Sequence, residues 1–431
     1  MACTRERLPE RLGGWGVVLD DEDGFHGCVD FGLLWMRVVS RPPGWMSTMP
    51  SPMADILVVA GEASGDQHGA DVVRALRARD PSLRFFGMGG KHLGEAGVEL
   101  LYGAHEVSVM GIAEVLPRLW RILSVMKGLE HAARARRPAL ALLVDIPDFN
   151  LRLAARLKAQ GVKVAYYVSP MLWAWREGRV RQVAARVDEM LCILPFEEPF
   201  YRERGVQARY VGNPVVEQVP APATRAAFRA ALGVADRPTV ALLPGSRPSE
   251  VRRILPALVG AAQRLVAARP GLQLLVPVAP TIPRDTVLGA FSAAGLSPVL
   301  VDGRAPEVVG ASDAAVVASG TATLEAGMME RPFVVVYGVS WLTWLVGRLM
   351  LRVAHVALVN LLAGRRVVPE LIQLEMTPER ISEEIQRVWD EGPAREAQLQ
   401  GLREVKAVLG APGAAGRAAA AILKLLEGRA R

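Results

Sequence analysis

The feature that most constrains the fold is an alternation, from residue 53 onward, of short β-branched apolar runs with amphipathic helical stretches. This alternation is typical of βαβ units, in which helices cover a parallel sheet. A proline-rich stretch at 219–223 separates two such series and is interpreted as an interdomain linker. We therefore predict an α/β protein with two Rossmann-like domains facing across a cleft. The predicted strands are Ile56–Ala60, Leu83–Gly87, Ala139–Val144, Val162–Val168, Glu189–Ile193, Thr239–Leu243, Gln273–Val278, Val299–Asp302, Asp313–Ala318 and Phe333–Tyr337.

The length of 431 residues agrees with two domains, because one hydrophobic core rarely organises so long a chain. We place the first domain at 53–218, the second at 219–395 and closing helices at 396–431, within an Ala-, Leu- and Arg-rich stretch. Residues 1–52 show no such periodicity. We interpret them as a disordered extension or an upstream-start artefact with Met53 as the natural start. An organism-specific arm is the alternative.

The net charge of +7 favours anionic partners. No RNA-binding or zinc-finger signature accompanies this charge, so we expect no nucleic acid, and phosphorylated small molecules or anionic lipid instead. Three cysteines without a CxxC pair predict neither a disulfide framework nor structural zinc, and fit a reducing cytoplasm. No apolar run reaches the roughly 18 residues that span a bilayer, so any membrane contact should be peripheral.

The first candidate site is the segment AGEASGD, residues 60–66, between a predicted strand and a helix. Small residues there bring backbone amides towards an anion at a helix N-terminus. Any Rossmann strand also reverses through such a turn, and the pattern is not GxGxxG. Glu62, however, places a carboxylate where a purely structural turn would prefer a neutral residue. We single out Glu62 and the neighbouring Ser64.

The second candidate site is DIPDFN, residues 145–150, at the carboxyl end of a predicted strand, where open α/β sheets bind ligands. Asp145 and Asp148 place at least one carboxylate at the mouth of the cleft, within reach of a substrate hydroxyl. The alternative is that Asp148 caps a helix beginning near Asn150 while Asp145 stabilises the turn. Spacing alone does not separate the two readings.

The third candidate site is LLPGSR, residues 242–247, which opens the second domain in the position equivalent to the first motif. Ser246 and Arg247 then lie where a diphosphate would meet a helix N-terminus, and Ser249 is a candidate cap for that helix. The alternative is an arginine on a solvated loop. We favour phosphate binding.

The fourth candidate site is ASGTATLEA, residues 318–326, again a strand, a small-residue turn and a helix. The amides of Ser319, Gly320 and Thr321 suit a phosphate, and Glu325 suits ribose hydroxyls. The alternative is that Glu325 completes a capping box.

Two segments mix apolar residues, tryptophan and arginine, as interfacial segments do. The first is 107–123, with Met110 and Trp120, and the second is 341–352. An amphipathic stripe is more often part of a core, and that alternative stays open here.

Eight motifs in this order resemble the lipid-A-disaccharide synthase family: AGEASGD, SVMGIAEVLPRL, DIPDFN, YYVSPMLWAWREGRV, LPFEEPFY, LLPGSR, ASGTATLEA and LVNLLAGRRVVPELIQ. The resemblance covers residues 56 to about 425. It implies a GT-B-like fold, no cofactor and no metal. It also implies UDP-2,3-diacylglucosamine as donor, 2,3-diacylglucosamine 1-phosphate as acceptor, and a β-1,6-linked disaccharide 1-phosphate with UDP as products.

The resemblance also implies roles for individual residues and domains. Glu62 and Asp148 match acids that the family needs for activity, and Arg247 and Asn360 match residues on the UDP side. The first domain then takes the acceptor and faces the membrane, and the second binds the UDP sugar. The implied location is cytoplasmic, peripherally associated with the inner face of the inner membrane. A homodimer is one of the assemblies that the sequence allows.

A β product from an α-linked UDP sugar requires inversion by in-line attack, and hence a base and a positive charge for the diphosphate. We expect Asp148 as base with Glu62 as rival or helper. One departure from the family is Asn213, which stands where the family usually has histidine. The alternatives are a UDP-sugar 2-epimerase, a murein-precursor glycosyltransferase, a nucleotide-sugar sensor and a dinucleotide oxidoreductase, the last disfavoured because GxGxxG is missing.

Overall fold

The strands of the chain form two all-parallel sheets. The computed structural model describes residues 54–107, 112–175, 177–221, 223–341, 344 and 353–428, with the backbone alone at 112–119 and 175. Seven strands form the first sheet, in the order β3-β2-β1-β4-β5-β6-β7, and six form the second, in the order β10-β9-β8-β11-β12-β13. The strands are β1 Asp55–Ala60, β2 Arg84–Gly89, β3 Glu99–Gly103, β4 Leu140–Val144, β5 Lys163–Tyr167, β6 Glu189–Cys192, β7 Ala208–Tyr210, β8 Thr239–Leu243, β9 Gln273–Val278, β10 Val299–Asp302, β11 Ala314–Ala318, β12 Phe333–Tyr337 and β13 Glu370–Ile372.

Helices follow most strands and cover both faces of each sheet, as parallel sheets require. They are α1 Ala63–Arg79, α2 Lys91–Glu95, α3 Ile112–Arg136, α4 Pro147–Ala159, α5 Leu172–Trp175, α6 Val180–Arg186, α7 Glu197–Arg202, α8 Val215–Gln218, α9 Arg225–Leu232, α10 Pro248–Ala268, α11 Arg284–Ala293, α12 Ala305–Gly310, α13 Ala322–Met328, α14 Leu358–Ala363, α15 Pro378–Trp389, α16 Pro393–Leu409 and α17 Ala414–Glu427.

The prediction of two parallel sheets with alternating helices is confirmed, and all ten predicted strands are present within two residues of the expected bounds. Central strands such as β4 and β8 are buried along their whole length, which explains their continuous apolar sequences. The sequence interpretation missed β3, β7 and β13. Each is an edge strand that is only partly buried, and the apolar run within it is at most three residues long, which is too short to indicate a strand.

Each sheet has a switch point, the place where strand order reverses. It lies between β1 and β4 in the first sheet and between β8 and β11 in the second. Ligands of open α/β sheets bind at this place, beyond the carboxyl ends of the strands. All four predicted motifs follow these four strands. The topology therefore gathers them at two switch points.

The two halves of the chain share hydrophobic packing. Leu194 and Val215, both from before residue 219, are buried in one cluster with Leu243 and Val317 of the second sheet. The last helix, α17, returns to the first sheet, where Ile422 is buried in the cluster that contains Ile56. The chain ends in helices α16 and α17, and the division expected at 395/396 falls inside α16. Residues 1–52 and Met53 lie outside the described residues.

Candidate functional site

The first switch point brings AGEASGD and DIPDFN together. Strands β1 and β4 pair in parallel with Ala60 opposite Val144, so the turns that follow them lie side by side. A side chain at Gly61 would place its Cβ 2.6 Å from Ile146 Cδ1, so glycine is what allows this close approach. The Glu62 side chain makes no hydrogen bond to cap α1. Its carboxylate is free of that structural task.

Arg247, at the second switch point, contacts an acidic residue at the first. It occupies the N-cap position of α10, and its Nη2 lies 3.8 Å from Oε2 of Glu62 in the other half of the chain. Its Nη1 also donates to Oε1 of Glu250 at 3.0 Å. The sequence analysis did not identify Glu250. Its position, three residues after Arg247 in the first turn of α10, is one at which an ion pair with Arg247 is expected. The expected cap by Ser249 is wrong, because α10 already begins at Pro248.

Asp145 is close enough to Glu62 and Arg247 to feel both charges, and it has an unusual backbone conformation. Its φ is +52°, in the left-handed region that residues other than glycine seldom adopt, and conformations of this kind cluster at functional sites. Side chains hold its carbonyl oxygen in place, since Asn150 Nδ2 donates to it at 2.8 Å and the Tyr166 hydroxyl at 2.5 Å. Burial and the charge of Glu62 raise the pKa of Asp145 to about 6, against the lowering effects of the Ile146 amide and Arg247. A carboxyl with this pKa exchanges protons near neutral pH.

Asp148 does not cap a helix. Helix α4 begins at Pro147 with Ile146 in the N-cap position, so Asp148 lies in the first turn and the capping alternative is wrong. Its carboxylate is 69% exposed, and Oδ1 accepts a hydrogen bond from Arg179 Nη1 at 2.9 Å. Arg179 is 31 residues away in sequence, and no local pattern pointed to it. The arrangement leaves an accessible carboxylate held by a cation.

The second switch point brings LLPGSR and ASGTATLEA together, with Leu243 paired to Val317. The Ser319 amide is already used, since it donates to the Val336 carbonyl at 2.9 Å. Thr321 is the N-cap residue of α13, and neither its side chain nor a capping box closes that helix, so the capping alternative for Glu325 is wrong. Burial, with a smaller effect of Glu307, raises the pKa of Glu325.

Asn360 is fully buried, with 0% of its surface exposed, and its side chain is saturated with hydrogen bonds. Its Nδ2 donates to the Val368 carbonyl and to Oε1 of Glu370, at 2.9 and 2.7 Å. Its Oδ1 accepts from the amides of Val367 and Val368. An asparagine side chain has two donor hydrogens and two acceptor lone pairs, and these four bonds use them all. In this arrangement Asn360 holds the backbone between α14 and β13.

The remaining predicted contact residues lie at the surface. Ser64 is exposed in the first turn of α1, and Ser246 is exposed beside Arg247. The Ser246 carbonyl accepts a hydrogen bond from the Thr281 hydroxyl, which ties the turn to the segment before α11. Both serines are therefore accessible to a ligand.

The lipid-like segments expose their tryptophans. Trp120 is 82% exposed on α3, and Trp341, 58% exposed, stacks on Trp344 with 4.8 Å between the ring centres. The alternative that Trp120 belongs to the core is therefore wrong. Met110 lies outside the described residues. Within the described part of the chain, no helix is both long enough and apolar enough to cross a bilayer.

Glu197, in the LPFEEPFY motif, is a buried carboxylate that the sequence reasoning did not single out. It is 1% exposed, and it accepts hydrogen bonds from Trp173 Nε1 at 3.1 Å and from the Leu194 amide at 3.0 Å. Burial raises its pKa to about 7, against the lowering effects of Ser169, Trp173 and two backbone amides. Since Leu194 and Trp173 both pack against the second sheet, Glu197 lies behind the contact between the two halves.

Asn213, the departure from the family pattern, connects the segments that join the two halves. Its Nδ2 donates to the Ile193 carbonyl at 3.0 Å, and its Oδ1 accepts from the Val215 amide at 3.0 Å. The side chain is buried, and both bonds are to backbone. Its observed role is to tie the residue that follows β6 to the start of α8.

Comparisons with known proteins agree on one family. The family model described as Lipid-A-disaccharide synthetase matches residues 56–419. The lipid-A-disaccharide synthase of Myxococcus xanthus (strain DK1622) is 68% identical over 372 residues, which cover 86% of this chain and 97% of that protein. That of Anaeromyxobacter dehalogenans (strain 2CP-C) is 56% identical over 374 residues, 86% and 97% of the two chains.

Solved structures with little sequence identity share the fold. The UDP-GlcNAc 2-epimerase of Neisseria meningitidis, bound to UDP-GlcNAc, aligns with a TM-score of 0.58 at 12% identity and covers 87% of this chain and 100% of its own. The calicheamicin glycosyltransferase CalG4 aligns with a TM-score of 0.57 at 15% identity, covering 88% and 100%. These likenesses support the GT-B architecture. With 364 residues matched by the family model and close relatives of nearly the same length, the chain belongs to the lipid-A-disaccharide synthase family of glycosyltransferases.

Proposed function

We propose that the protein transfers 2,3-diacylglucosamine from UDP-2,3-diacylglucosamine to 2,3-diacylglucosamine 1-phosphate. The products are the β-1,6-linked disaccharide 1-phosphate and UDP. The observation that carries this proposal is the contact between Glu62 at the first switch point and Arg247 at the second. This contact places an acid of one half of the chain opposite a cation of the other. Acid on one side and cation on the other is what transfer of a sugar from a diphosphate requires.

The donor diphosphate binds Arg247 and the turn that holds Ser246. Arg247 now faces two carboxylates, Glu62 and Glu250, and a diphosphate is a stronger partner because it offers more charge and a bidentate geometry. The amides of Gly320 and Thr321 complete the anion site, while that of Ser319 stays with the sheet. Glu325 faces the ribose, and Asn360 acts indirectly by holding Glu370 and the segment before β13.

The reaction proceeds by a single displacement with inversion. The 6-hydroxyl oxygen of the acceptor forms a bond to the anomeric carbon while the bond from that carbon to the diphosphate oxygen breaks. UDP leaves with the electron pair, and Arg247 stabilises its developing charge without a metal. Asp148 takes the proton of the attacking hydroxyl, since its carboxylate is the exposed one of the three acids.

Asp145 and Glu62 form the supporting pair. Arg247 lowers the pKa of Asp145, so a diphosphate that neutralises Arg247 will raise that pKa further. Donor binding and proton uptake by Asp145 are then coupled. Glu62 is the rival of Asp148 for the role of base.

The enzyme works at the inner face of the inner membrane, bound peripherally from the cytoplasm. The exposed side chains of Trp120 and Trp341 support this proposal, because tryptophan prefers the boundary between headgroups and acyl chains. The excess of arginine and lysine adds attraction to anionic lipid.

The test uses the purified full chain with both acylated substrates, and UDP release and the disaccharide are measured with and without a chelator. We expect release that requires both substrates, survives the chelator and yields a β-1,6 linkage by NMR. UDP release without acceptor would instead indicate a hydrolase or an epimerase-type reaction. Loss of turnover on chelation would contradict metal independence.

A further inference from the structure

An apolar groove runs between α10 and α11 on the second sheet, with a volume of about 840 Å³. This volume lies within the roughly 300–1,000 Å³ typical of small-molecule sites. Its walls are mostly apolar, and Arg252 is the charged residue among those that line it. The apolar lining includes Val251, Leu255, Pro256, Val259, Ile282 and Pro283.

One end of the groove lies at the turn that contains Ser246 and Arg247. Pro248, which lines the groove, directly follows Arg247 in the chain. Thr281, also in the lining, donates its hydroxyl hydrogen bond to the Ser246 carbonyl. The groove therefore begins where the diphosphate is proposed to bind.

The groove is also long. Its lining residues on α10 extend from Pro248 to Val259, which corresponds to about 17 Å along a helix axis. A channel that is elongated, apolar and open to solvent along one side suits a flexible hydrocarbon chain better than a compact polar ligand.

We propose that this groove binds one fatty acyl chain of the UDP-sugar donor while Arg247 holds the donor's diphosphate. The inference rests on the proposed function, since that function supplies a donor with both a diphosphate and acyl chains. The continuity of the groove with the Ser246–Arg247 turn selects the donor over the acceptor. A chain in the groove fixes the sugar relative to the diphosphate and selects donors by chain length.

Chain length should then affect donor affinity. Each methylene that leaves water strengthens binding by up to about fourfold, and by less in a groove that stays partly open. The acyl chain of the acceptor should show no such dependence on this groove.

The experiment uses variants whose larger side chains occupy part of the groove. Thr286 lines it and is exposed, so Thr286→Trp adds bulk there without disturbing the core. Leu288→Trp is the matched control, because Leu288 is exposed on the same helix and is not part of the lining. Ala290→Leu is the second filling variant, with a smaller side chain at another point of the groove. Melting temperatures establish that each variant folds.

Initial rates are measured with donors of long and short acyl chains, and separately with acceptors of long and short chains. We expect Thr286→Trp to raise KM for the long-chain donor about tenfold, and to leave the short-chain donor, both acceptors and the Kd of UDP unchanged. Ala290→Leu should act in the same direction and Leu288→Trp should have no effect.

Two failures are distinguishable. If the wild-type protein turns over no acylated donor, the proposed function is wrong and the donor assignment falls with it. If the wild type is active and the filling variants do not discriminate between donor chain lengths, the groove assignment alone is wrong. If the filling variants raised KM for the long-chain acceptor and not for the long-chain donor, the assignment of the groove to the donor would be wrong.

Discussion

Nη2 of Arg247 lies 3.8 Å from Oε2 of Glu62, so a residue that follows the first strand of one sheet faces a residue that follows the first strand of the other. The two are 185 positions apart in the chain. Neither is fully buried, and the pair is open enough for a ligand to replace one partner. This contact is the basis for the first prediction.

Substitution Arg247→Ala should weaken UDP binding about tenfold to a hundredfold and lower turnover as well, since the guanidinium meets the diphosphate in both ground and transition states. Titration calorimetry with UDP measures the first effect. Arg253→Ala is the control, an exposed arginine nearly two turns further along the same helix. Unchanged UDP affinity in Arg247→Ala would place the diphosphate elsewhere.

Substitution Asp148→Asn should lower kcat by roughly 10²–10⁴-fold, because asparagine keeps the shape but accepts no proton. The affinity for both substrates should stay near that of the wild type. Asp71→Asn is the matched control, since Asp71 forms an exposed ion pair with Arg74 in the same half of the chain. A stable and fully active Asp148→Asn enzyme would transfer the role of base to Asp145 or Glu62.

Glu197 should make stability depend on pH. The pKa of this carboxyl is about 7 in the folded protein and roughly 4.3 in an unfolded chain. Between these values the folded state keeps a proton that the unfolded state has lost. The free energy of unfolding therefore falls as pH rises from about 4.3 through about 7, by an amount on the order of 3 kcal/mol.

Glu197→Gln removes this ionisation, so the free energy of unfolding of the variant relative to wild type should be higher at pH 8 than at pH 5. Denaturant unfolding at the two pH values measures the difference. Glu198→Gln controls for loss of a carboxylate from the same helix, because Glu198 is partly exposed and paired with Arg202. An equal effect of Glu197→Gln at both pH values would contradict the assignment.

Substitution Trp120→Ser should release the protein from anionic vesicles while leaving the melting temperature unchanged, because a side chain that is 82% exposed contributes little to the core. Binding of the wild type should weaken with salt but persist, since apolar contacts add to the charge attraction. Co-sedimentation measures both effects. Leu374→Ser, at another exposed apolar residue, is the control, and equal loss of binding in the two variants would show that Trp120 has no special role.

Truncation to residues 53–431 should leave melting temperature and turnover unchanged. The first strand begins at Asp55, and the family match begins at residue 56. Activity assays on the truncated and full chains provide the comparison. A marked loss in the truncated protein would assign a role to the extension.

The elements that the sequence predicted are those whose signal is local. Strands β1, β4, β8 and β11 are central and buried on both faces, so their apolar runs identify them without knowledge of the neighbours. The turns that follow them could be located because they come directly after such runs. The order of the eight motifs along the chain then indicated the family.

Edge strands and pairings needed the tertiary structure. Strand β13 is three residues long and lies at a sheet edge, where one partner and partial exposure leave its sequence without a pattern. Likewise Asp148 with Arg179, Asn360 with Glu370 and Glu62 with Arg247 are each recognised only when distant segments are brought together.

The sequence by itself determined the fold class, the family and the positions of the candidate acids and the arginine, because backbone periodicity and turn composition are properties of neighbouring residues. Only the tertiary structure decided what each of these side chains faces. It showed that Asn360 is buried and bonded to Val368 and Glu370, and it placed Asp145 beside Glu62 and Arg247. The physical reason is that charge and burial act through space over a few ångströms, whatever the separation of the residues along the chain.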